Sequence, residues 1–347
     1  MNNYSLKIIL SVLAVAGFVT AFFCDPAAMV TGVSNALTLC GTAVIPPLFP
    51  FIVLSDFIVR SGLSDVIGTV ITPVSRFAFN LPGNAGCAVL MSAVGGYPVG
   101  ARMTAQLVEN GKITRRQGRR MLLFCVNAGP AFVIGTVGSV MLASRKAGIL
   151  LYLSLLISAL FIGAFLRLFD GKSRTFSQEK AVFDPSVISQ SVLQGTNSIL
   201  TLCGWILVFS GAMPFVGKLP LGESTIIWLN IITEVTNGCR TAAGVFPVSV
   251  LALVMGWSGL CVHCQLLSSI KATGLKIRYF FLSRIVHGSL ATVIATVLFR
   301  FFPCDVSVFS TNTVVSPALF SVSVPATVAM LTMCAFVILD NNLKRNV

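Results

Sequence analysis

The chain has 347 residues, of which 55% are hydrophobic and only 10% are charged, and its net charge is +13. Soluble domains carry about 25% charged residues, so this composition excludes a soluble globular protein, and it is too apolar for a disordered chain. Ten cysteines in such a length also exclude a small disulfide-stapled scaffold. The chain is predicted to lie in a bilayer.

Seven apolar runs are long enough to cross a membrane, which takes about 20 residues. They are residues 6–23, 122–142, 148–169, 192–216, 248–270, 279–299 and 319–339. The first run ends in Phe22 and Phe23 and is followed by Cys24, at positions where cleavage by a signal peptidase needs small residues. We therefore expect a retained anchor rather than a cleaved signal peptide.

Basic residues concentrate in three connections between apolar runs, at residues 112–120, 167–180 and 271–278. Positive charge marks cytoplasmic loops, which predicts these connections and both chain termini on the cytoplasmic side. Arg145 and Lys146 are the main exception, since they fall on the outer side. A nucleic-acid-binding face would interleave its cations with aromatic side chains, and no nucleic-acid partner is expected.

Two regions, 35–107 and 225–246, do not resolve into simple spans. The first contains Pro46, Pro47 and Pro50, which remove backbone donors and predict that the segment breaks or bends. Such backbone is tolerated at membrane depth only inside protein or against a watery cavity. Between the outer Lys218 and the inner Lys271 the number of crossings must be odd, and one span with a re-entrant hairpin fits.

The sequence Leu-Thr-Leu-Cys-Gly occurs at residues 37–41 and again at 200–204. Each copy is followed by two Gly-containing breaks in apolar sequence. The breaks are at 95–98 and 127–130 after the first copy, and at 234–238 and 257–260 after the second. Paired broken segments in corresponding halves indicate a transporter whose site lies at the membrane midplane.

Four segments, in the same order, resemble the sporulation integral membrane protein family of the YlbJ type. They are residues 46–51, 96–102, 127–138 and 234–238, and the likeness extends over roughly 36–298. The resemblance implies a polytopic membrane protein with nucleoside-recognition Gate domains, which nucleoside transporters and ferrous-iron permeases share. It also implies a requirement in spore cortex formation and an undefined transport role. Family members tend to read Asn-Asn-Ala-Ser-Pro where this chain has Val-Asn-Ala-Gly-Pro at 126–130.

Glu234 is the strongest candidate for a site residue. Inserting an ionisable side chain into the membrane costs about 3 kcal/mol on insertion scales, so such side chains face a cavity or pair with another polar group. Thr236, Asn237 and Gly238 follow it and add a hydroxyl, an amide and exposed backbone. These four residues are predicted to bind a solute or an ion. The alternative is that Glu234 forms an ion pair with Arg240 or Arg102 that only holds the break together.

Asn127 and Gly129 place an amide beside freed carbonyls, which suits a polar group or a cation, whereas the alternative is helix packing through small residues. Tyr97 adds a hydroxyl at a break whose small-residue spacing favours packing. Gln265 either lines the site or bridges two helices. Asp56 is a candidate proton or ion carrier, and the competing interpretation is a pair with Arg60 one turn away.

Metal and catalytic sites are not expected. Cys261, His263 and Cys264 contain ligand types for zinc or copper, but His287 is the only other histidine. No Walker A sequence, nucleophile elbow or His-Glu-x-x-His is present, so neither a catalytic residue nor a cofactor is predicted.

The sequence thus predicts an all-α polytopic membrane protein of the cell membrane, with about eight spanning helices, broken or re-entrant segments, and two related halves. The expected divisions are an anchor at 1–30, a first Gate-like half at 31–169, a cytoplasmic linker at 170–190, a second Gate-like half at 191–300, and an external loop, last helix and cytoplasmic tail at 301–347. The expected function is a secondary transporter or permease of a small polar solute in endospore formation. The alternative is a non-transporting membrane partner of spore-envelope assembly, and a homo-oligomer is left open.

Overall fold

The computed structural model describes residues 25–169, 184–218, 220–275 and 279–306, with isolated positions between 12 and 23. Helices are the only regular elements in these ranges, which confirms the predicted all-α class. The α-helices are α1 Pro26–Leu39, α2 Ile45–Arg60, α3 Leu63–Phe79, α4 Gly83–Gly95, α5 Tyr97–Glu109, α6 Arg115–Leu122, α7 Arg145–Leu166, α8 Pro185–Val216, α9 Glu223–Thr233, α10 Val235–Ala243, α11 Leu251–Trp257, α12 Gly259–Ile270 and α13 Phe280–Phe301. Two further segments, Cys40–Val44 and Ala131–Met141, are π-helical.

In the described ranges, five helices are long and apolar enough to cross a membrane, and a sixth crossing results if the bent pair of α3 and α4 is one span. Four of the five coincide with predicted runs, those at 148–169, 192–216, 248–270 and 279–299. The predicted spans at 319–339 and, in most positions, 6–23 lie outside the described residues. The expected figure of about eight spans is therefore approximate.

The fifth span is Pro26–Arg60, in which α1 and α2 join into one helix of 35 residues. The predicted break or bend is not a break, because the helix continues past Pro46, Pro47 and Pro50. It widens into the π-helical turn Cys40–Val44 directly before the prolines, and Pro46 and Pro47 are among the first residues of α2. The expected boundary between residues 30 and 31 falls inside α1, which begins after Asp25 caps it through a hydrogen bond from the Ala28 N–H at 2.9 Å.

Helix α8 runs antiparallel to Pro26–Arg60 along its length. Successive contacts join Asp25 with Lys218, Gly32 with Gly211, Cys40 with Cys203, Val53 with Gly195, and Arg60 with Gln190. Small residues allow this approach: a β-carbon on Gly32 would lie only 2.8 Å from the carbonyl oxygen of Gly211. The two copies of the repeated pentapeptide lie at the centre of this pair, on opposite helices.

In the first half, α4 and α5 form a hairpin whose tip is Gly96. This glycine has φ +83°, a conformation that a side chain would strain. A β-carbon on Gly100 would lie 2.7 Å from the Cβ of Ser92, so the chain has reversed direction at the tip. The preceding helices α3 and α4 meet at a bend of 83°.

The next segment of the first half is a broken span. The predicted run at 122–142 contains the predicted break at 127–130, because α6 ends at Leu122 and the regular backbone resumes only at Ala131. Pro130 lacks an N–H and restricts the residue before it, so the helix cannot run through it unchanged. The span then continues as the π-helical segment and returns through α7.

After α8 the chain again forms a hairpin and then a broken span, starting from the end of the molecule where Lys218 lies. Helices α9 and α10 form a hairpin with Glu234 at its tip, since a β-carbon on Gly238 would lie 2.9 Å from the Cα of Ile231. Helices α11 and α12 form a span broken at Ser258 and Gly259, which have φ +70° and +73°. The expected combination of one span and a re-entrant hairpin between Lys218 and Lys271 matches this arrangement.

The described residues that flank the three basic regions lie at one end of the molecule. Contacts at this end join Arg116 with the Phe169 carbonyl, Gly118 with Leu275, and Arg60 with Gln190. Contacts at the other end join Asp25 with Lys218, and Lys146 with the Pro303 carbonyl. This relative arrangement agrees with the predicted alternation of loops, and the cytoplasmic assignment of the basic end stays a prediction.

Candidate functional site

In each half, the hairpin tip touches the break in the following span. The backbone atoms of Gly96 and Gly129 are close enough that a β-carbon on Gly129 would lie 3.1 Å from the Cα of Gly96. In the second half, a β-carbon on Gly259 would lie 3.1 Å from the Cα of Glu234. These four positions place irregular backbone from both halves inside the helical bundle, and we call this region the crossing region.

Glu234 is buried, with 2% of its surface exposed. Its carboxylate caps α10, accepting hydrogen bonds from the Thr236 N–H at 2.9 Å and the Asn237 N–H at 2.7 Å. A carboxylate at this position is favoured by the positive end of the helix dipole. Within the described residues neither alternative ion pair forms, since Arg102 contacts Asp56 and Arg240 is exposed.

The other predicted residues of this hairpin surround the cap. Thr236 and Asn237 are half-buried. The Asn237 amide also donates to the Ser210 hydroxyl on α8 at 3.4 Å. Gly238 allows α9 and α10 to approach, because any side chain there would meet Ile231. The hairpin therefore presents a hydroxyl and an amide beside a buried carboxylate.

Asn127 lies in the break of the first half and is buried, with 5% exposed. Its amide donates to the Phe124 carbonyl at 2.7 Å, while its Oδ1 is buried without a hydrogen-bond partner. Unpaired buried acceptors are rare in native structures. Gly129 packs against Gly96. This break therefore contains both a close backbone contact and a buried acceptor, Asn127 Oδ1, without a hydrogen bond.

Arg284, on α13, was not predicted and is the second buried charge of the region, with 0% exposed. Its guanidinium donates to the carbonyls of Leu123 and Val126, which the break in the first half leaves without helical partners. No carboxylate pairs with Arg284 in the described part of the chain. The reasoning that selected Glu234, an ionisable group inside an apolar run, would also have selected Arg284.

Tyr97 connects the two halves. Its hydroxyl donates to the Met255 carbonyl on α11 at 2.6 Å, and the ring lies within electrostatic range of both Glu234 and Arg284. Tyr97 and Gln265 line a cavity of about 10 Å³, the scale of one water molecule. Tyr97 thus contacts the cavity and lies near both buried charges, whereas Gln265 donates to Cys261 at 3.3 Å.

Asp56 lies away from the crossing region, near the end of α2. It pairs with Arg60 at 2.5 Å, as the competing interpretation expected, and also with Arg102 at 3.0 Å. The sequence pattern of one helix could reveal the first partner, but the second comes from α5. Asp56 is therefore a paired carboxylate in this structure.

Cys261, His263 and Cys264 do not converge on one point. Cys261 packs in a cluster with Cys40 and Cys203, whereas His263 stacks on Phe281 with ring centroids 4.8 Å apart. In the part of the chain that the structure describes, no group of three potential metal ligands comes together.

The architecture defines a polytopic α-helical membrane protein with hairpins and interrupted spans in its interior. The chain is similar to the sporulation integral membrane protein YlbJ of Bacillus subtilis (strain 168), with 23% identity over 321 residues, covering 79% of this chain and 78% of that protein. This similarity supports the resemblance seen in the sequence motifs. No family model matches the chain, so the Gate domains remain an expectation, and no solved structure matches it.

Proposed function

We propose that the protein is a secondary transporter or permease that moves a small polar solute across the cell membrane during endospore formation. The solute binds in the crossing region, where Glu234, Thr236, Asn237 and Asn127 supply polar groups. The similarity to a sporulation integral membrane protein supports the biological setting. The arrangement of the broken segments supports the transport role.

The observation that carries this proposal is the opposed arrangement of the halves. Each half contains a hairpin followed by a broken span, and the two sets enter from opposite ends of the molecule. Cys40 and Cys203, which occupy the same position in the two copies of the pentapeptide, pack in one buried cluster between antiparallel helices. This contact is what a two-fold axis in the membrane plane would produce, as in transporters built from inverted repeats.

The cavity beside Tyr97 has a volume of about 10 Å³, the scale of one water molecule. A solute larger than water requires the helices around the crossing region to separate. Inverted halves provide such a motion, because moving one half against the other opens the site to each side in turn.

A ligand screen tests this proposal. The detergent-purified protein is melted with nucleosides, amino acids, dicarboxylates or divalent cations, and the series is repeated with Glu234→Gln. Glu223→Gln is the matched control, because Glu223 is an exposed residue at the start of the same hairpin. A ligand at 100 times its Kd stabilises the folded state by about 2.7 kcal/mol. We expect one class to stabilise the wild type and Glu223→Gln but not Glu234→Gln.

The second candidate is a non-transporting membrane partner of spore-envelope assembly. It is favoured because both buried charges form hydrogen bonds to the backbone. Glu234 accepts from backbone N–H groups, and Arg284 donates to backbone carbonyls. If these charges only stabilise the breaks, no ligand class stabilises the wild type. Glu234→Gln then melts earlier than Glu223→Gln in the absence of ligand.

A further inference from the structure

A second polar cluster lies outside the crossing region, at the basic end of the molecule. Its centre is Asp56, which is fully buried. One carboxylate oxygen accepts from Arg60 Nε at 2.5 Å, and the other accepts from Arg102 Nη2 at 3.0 Å and from the Gln106 amide. The carboxylate is thus saturated by groups of α2 and α5.

The charges of this cluster do not balance. Asp56 supplies one negative charge, whereas Arg60 and Arg102 supply two positive charges, and neither arginine pairs with another carboxylate among the described residues. Both guanidiniums are partly withdrawn from water, with side-chain exposures of 33% and 17%. A partly desolvated excess charge attracts an anion more strongly than a solvated one does.

The cluster also contains polar atoms that lack partners. Arg102 Nε and Gln106 Oε1 are both buried without a hydrogen bond, and Gln106 as a whole is only 9% exposed. Buried polar groups in native structures are nearly always paired with protein or with bound molecules. The protein's own groups therefore do not satisfy every polar atom of this positively charged cluster.

Helix α8 provides the outer wall of the cluster. The Gln190 and Gln194 carbonyl oxygens accept from Arg60 at 3.4 Å and from Arg102 at 3.3 Å, which leaves their amide N–H groups available. Both glutamines are exposed, although they lie on a helix long and apolar enough to cross a membrane. A ligand can therefore approach from this face.

We propose that Arg60 and Arg102, together with the amides of Gln190 and Gln194, form a binding site for a phosphate group. Guanidinium groups suit phosphate because their N–H donors match its oxygens in pairs. Arg60 is the last residue of α2, so the site lies at the depth where phospholipid headgroups meet a spanning helix, and basic sites between helices bind such headgroups. The group is carried either by a soluble phosphate ester or by an anionic phospholipid, and the site exists whether or not the protein transports a solute.

The two sources are separated by a melting experiment on the full chain. One arm compares glycerol 3-phosphate and inorganic phosphate with chloride at equal ionic strength in neutral detergent. The other compares nanodiscs of phosphatidylglycerol with nanodiscs of phosphatidylcholine. Stabilisation in the first arm identifies a soluble phosphate ligand, and stabilisation in the second arm alone identifies the lipid.

The variant is Arg60→Gln, which leaves Asp56 paired with Arg102 and Gln106. Its matched control is Arg115→Gln, an exposed residue at the same end of the molecule. We expect Arg60→Gln to weaken phosphate binding about tenfold and Arg115→Gln to leave it unchanged. If Arg60→Gln does not fold, Gln194→Ala replaces it, with a smaller loss expected. The proposal is overturned if neither arm stabilises the wild type, or if Arg115→Gln weakens binding as much as the variants in the cluster.

Discussion

Substituting Gly100 by alanine tests whether α5 must lie directly against the break of the first half. A β-carbon at this position would lie 1.8 Å from the Cys125 carbonyl oxygen and 2.7 Å from the Cβ of Ser92. The oxygen belongs to the backbone and cannot rotate away, so the hairpin and the broken span must move apart. Overpacking typically destabilises a protein by about 1–3 kcal/mol and occasionally by more. Because the Cys125 carbonyl is part of the backbone, we expect Gly100→Ala to lower the free energy of unfolding by about 3 kcal/mol.

The matched control is Gly204→Ala, another glycine inside a helix, where a β-carbon would meet nothing within 4 Å. This control should be neutral or stabilise the protein by up to about 1 kcal/mol, because alanine favours helix over glycine. Both variants are melted in the same detergent with the wild type, with tryptophan fluorescence as the signal. A shift of about 2–4 °C per kcal/mol in domains of 150–250 residues predicts that Gly100→Ala melts several degrees lower. Equal melting of Gly100→Ala and the wild type would refute the close approach.

Two further contacts give direct predictions. A membrane-permeable thiol oxidant such as diamide should join Cys40 to Cys203, because both pack in one buried cluster between the antiparallel helices. Non-reducing peptide mass spectrometry should detect the linked peptides in the wild type and not in Cys203→Ser, and their absence from the wild type would contradict the antiparallel pairing. Lys112→Met should destabilise the protein by about 3–5 kcal/mol, because it removes the ammonium group that lies 2.7 Å from the buried carboxylate of Asp65. Adding Asp65→Leu to this variant should restore part of the lost melting temperature. A double variant that melts lower than Lys112→Met alone would argue against this explanation.

The spans are the part of the fold that the sequence predicts well, because length and hydropathy suffice for helices such as α8 and α13. The span Pro26–Arg60 was not predicted. Proline was taken to interrupt a helix wherever it occurs, and this reasoning does not anticipate a π-helical turn that lets the helix continue past the prolines. The breaks were recognised by their glycines and prolines. Their meeting inside the bundle depends on contacts such as Gly96 with Gly129, which no local pattern encodes.

The same limit applies to the candidate site. Glu234 was identified because its charge stands out in apolar sequence, but its role as the cap of α10 depends on where the helix begins. Arg284 lies inside the predicted run 279–299, but its role depends on the carbonyls of Leu123 and Val126, which only the folded chain brings beside it. The hydrogen bond from Tyr97 to Met255 joins residues 158 positions apart, a separation over which composition and periodicity carry no information.

The most direct test of transport is solute uptake into proteoliposomes. Vesicles containing the wild type, Glu234→Gln or Glu223→Gln are incubated with a defined mixture of nucleosides, amino acids and dicarboxylates, and the internal solutes are measured by mass spectrometry. Transport through the crossing region predicts that at least one solute accumulates in wild-type and Glu223→Gln vesicles above empty vesicles, and that Glu234→Gln vesicles lose this uptake while the protein remains folded. Accumulation that is identical in all three preparations would contradict the role of Glu234, and accumulation no greater than in empty vesicles would contradict transport of these solutes.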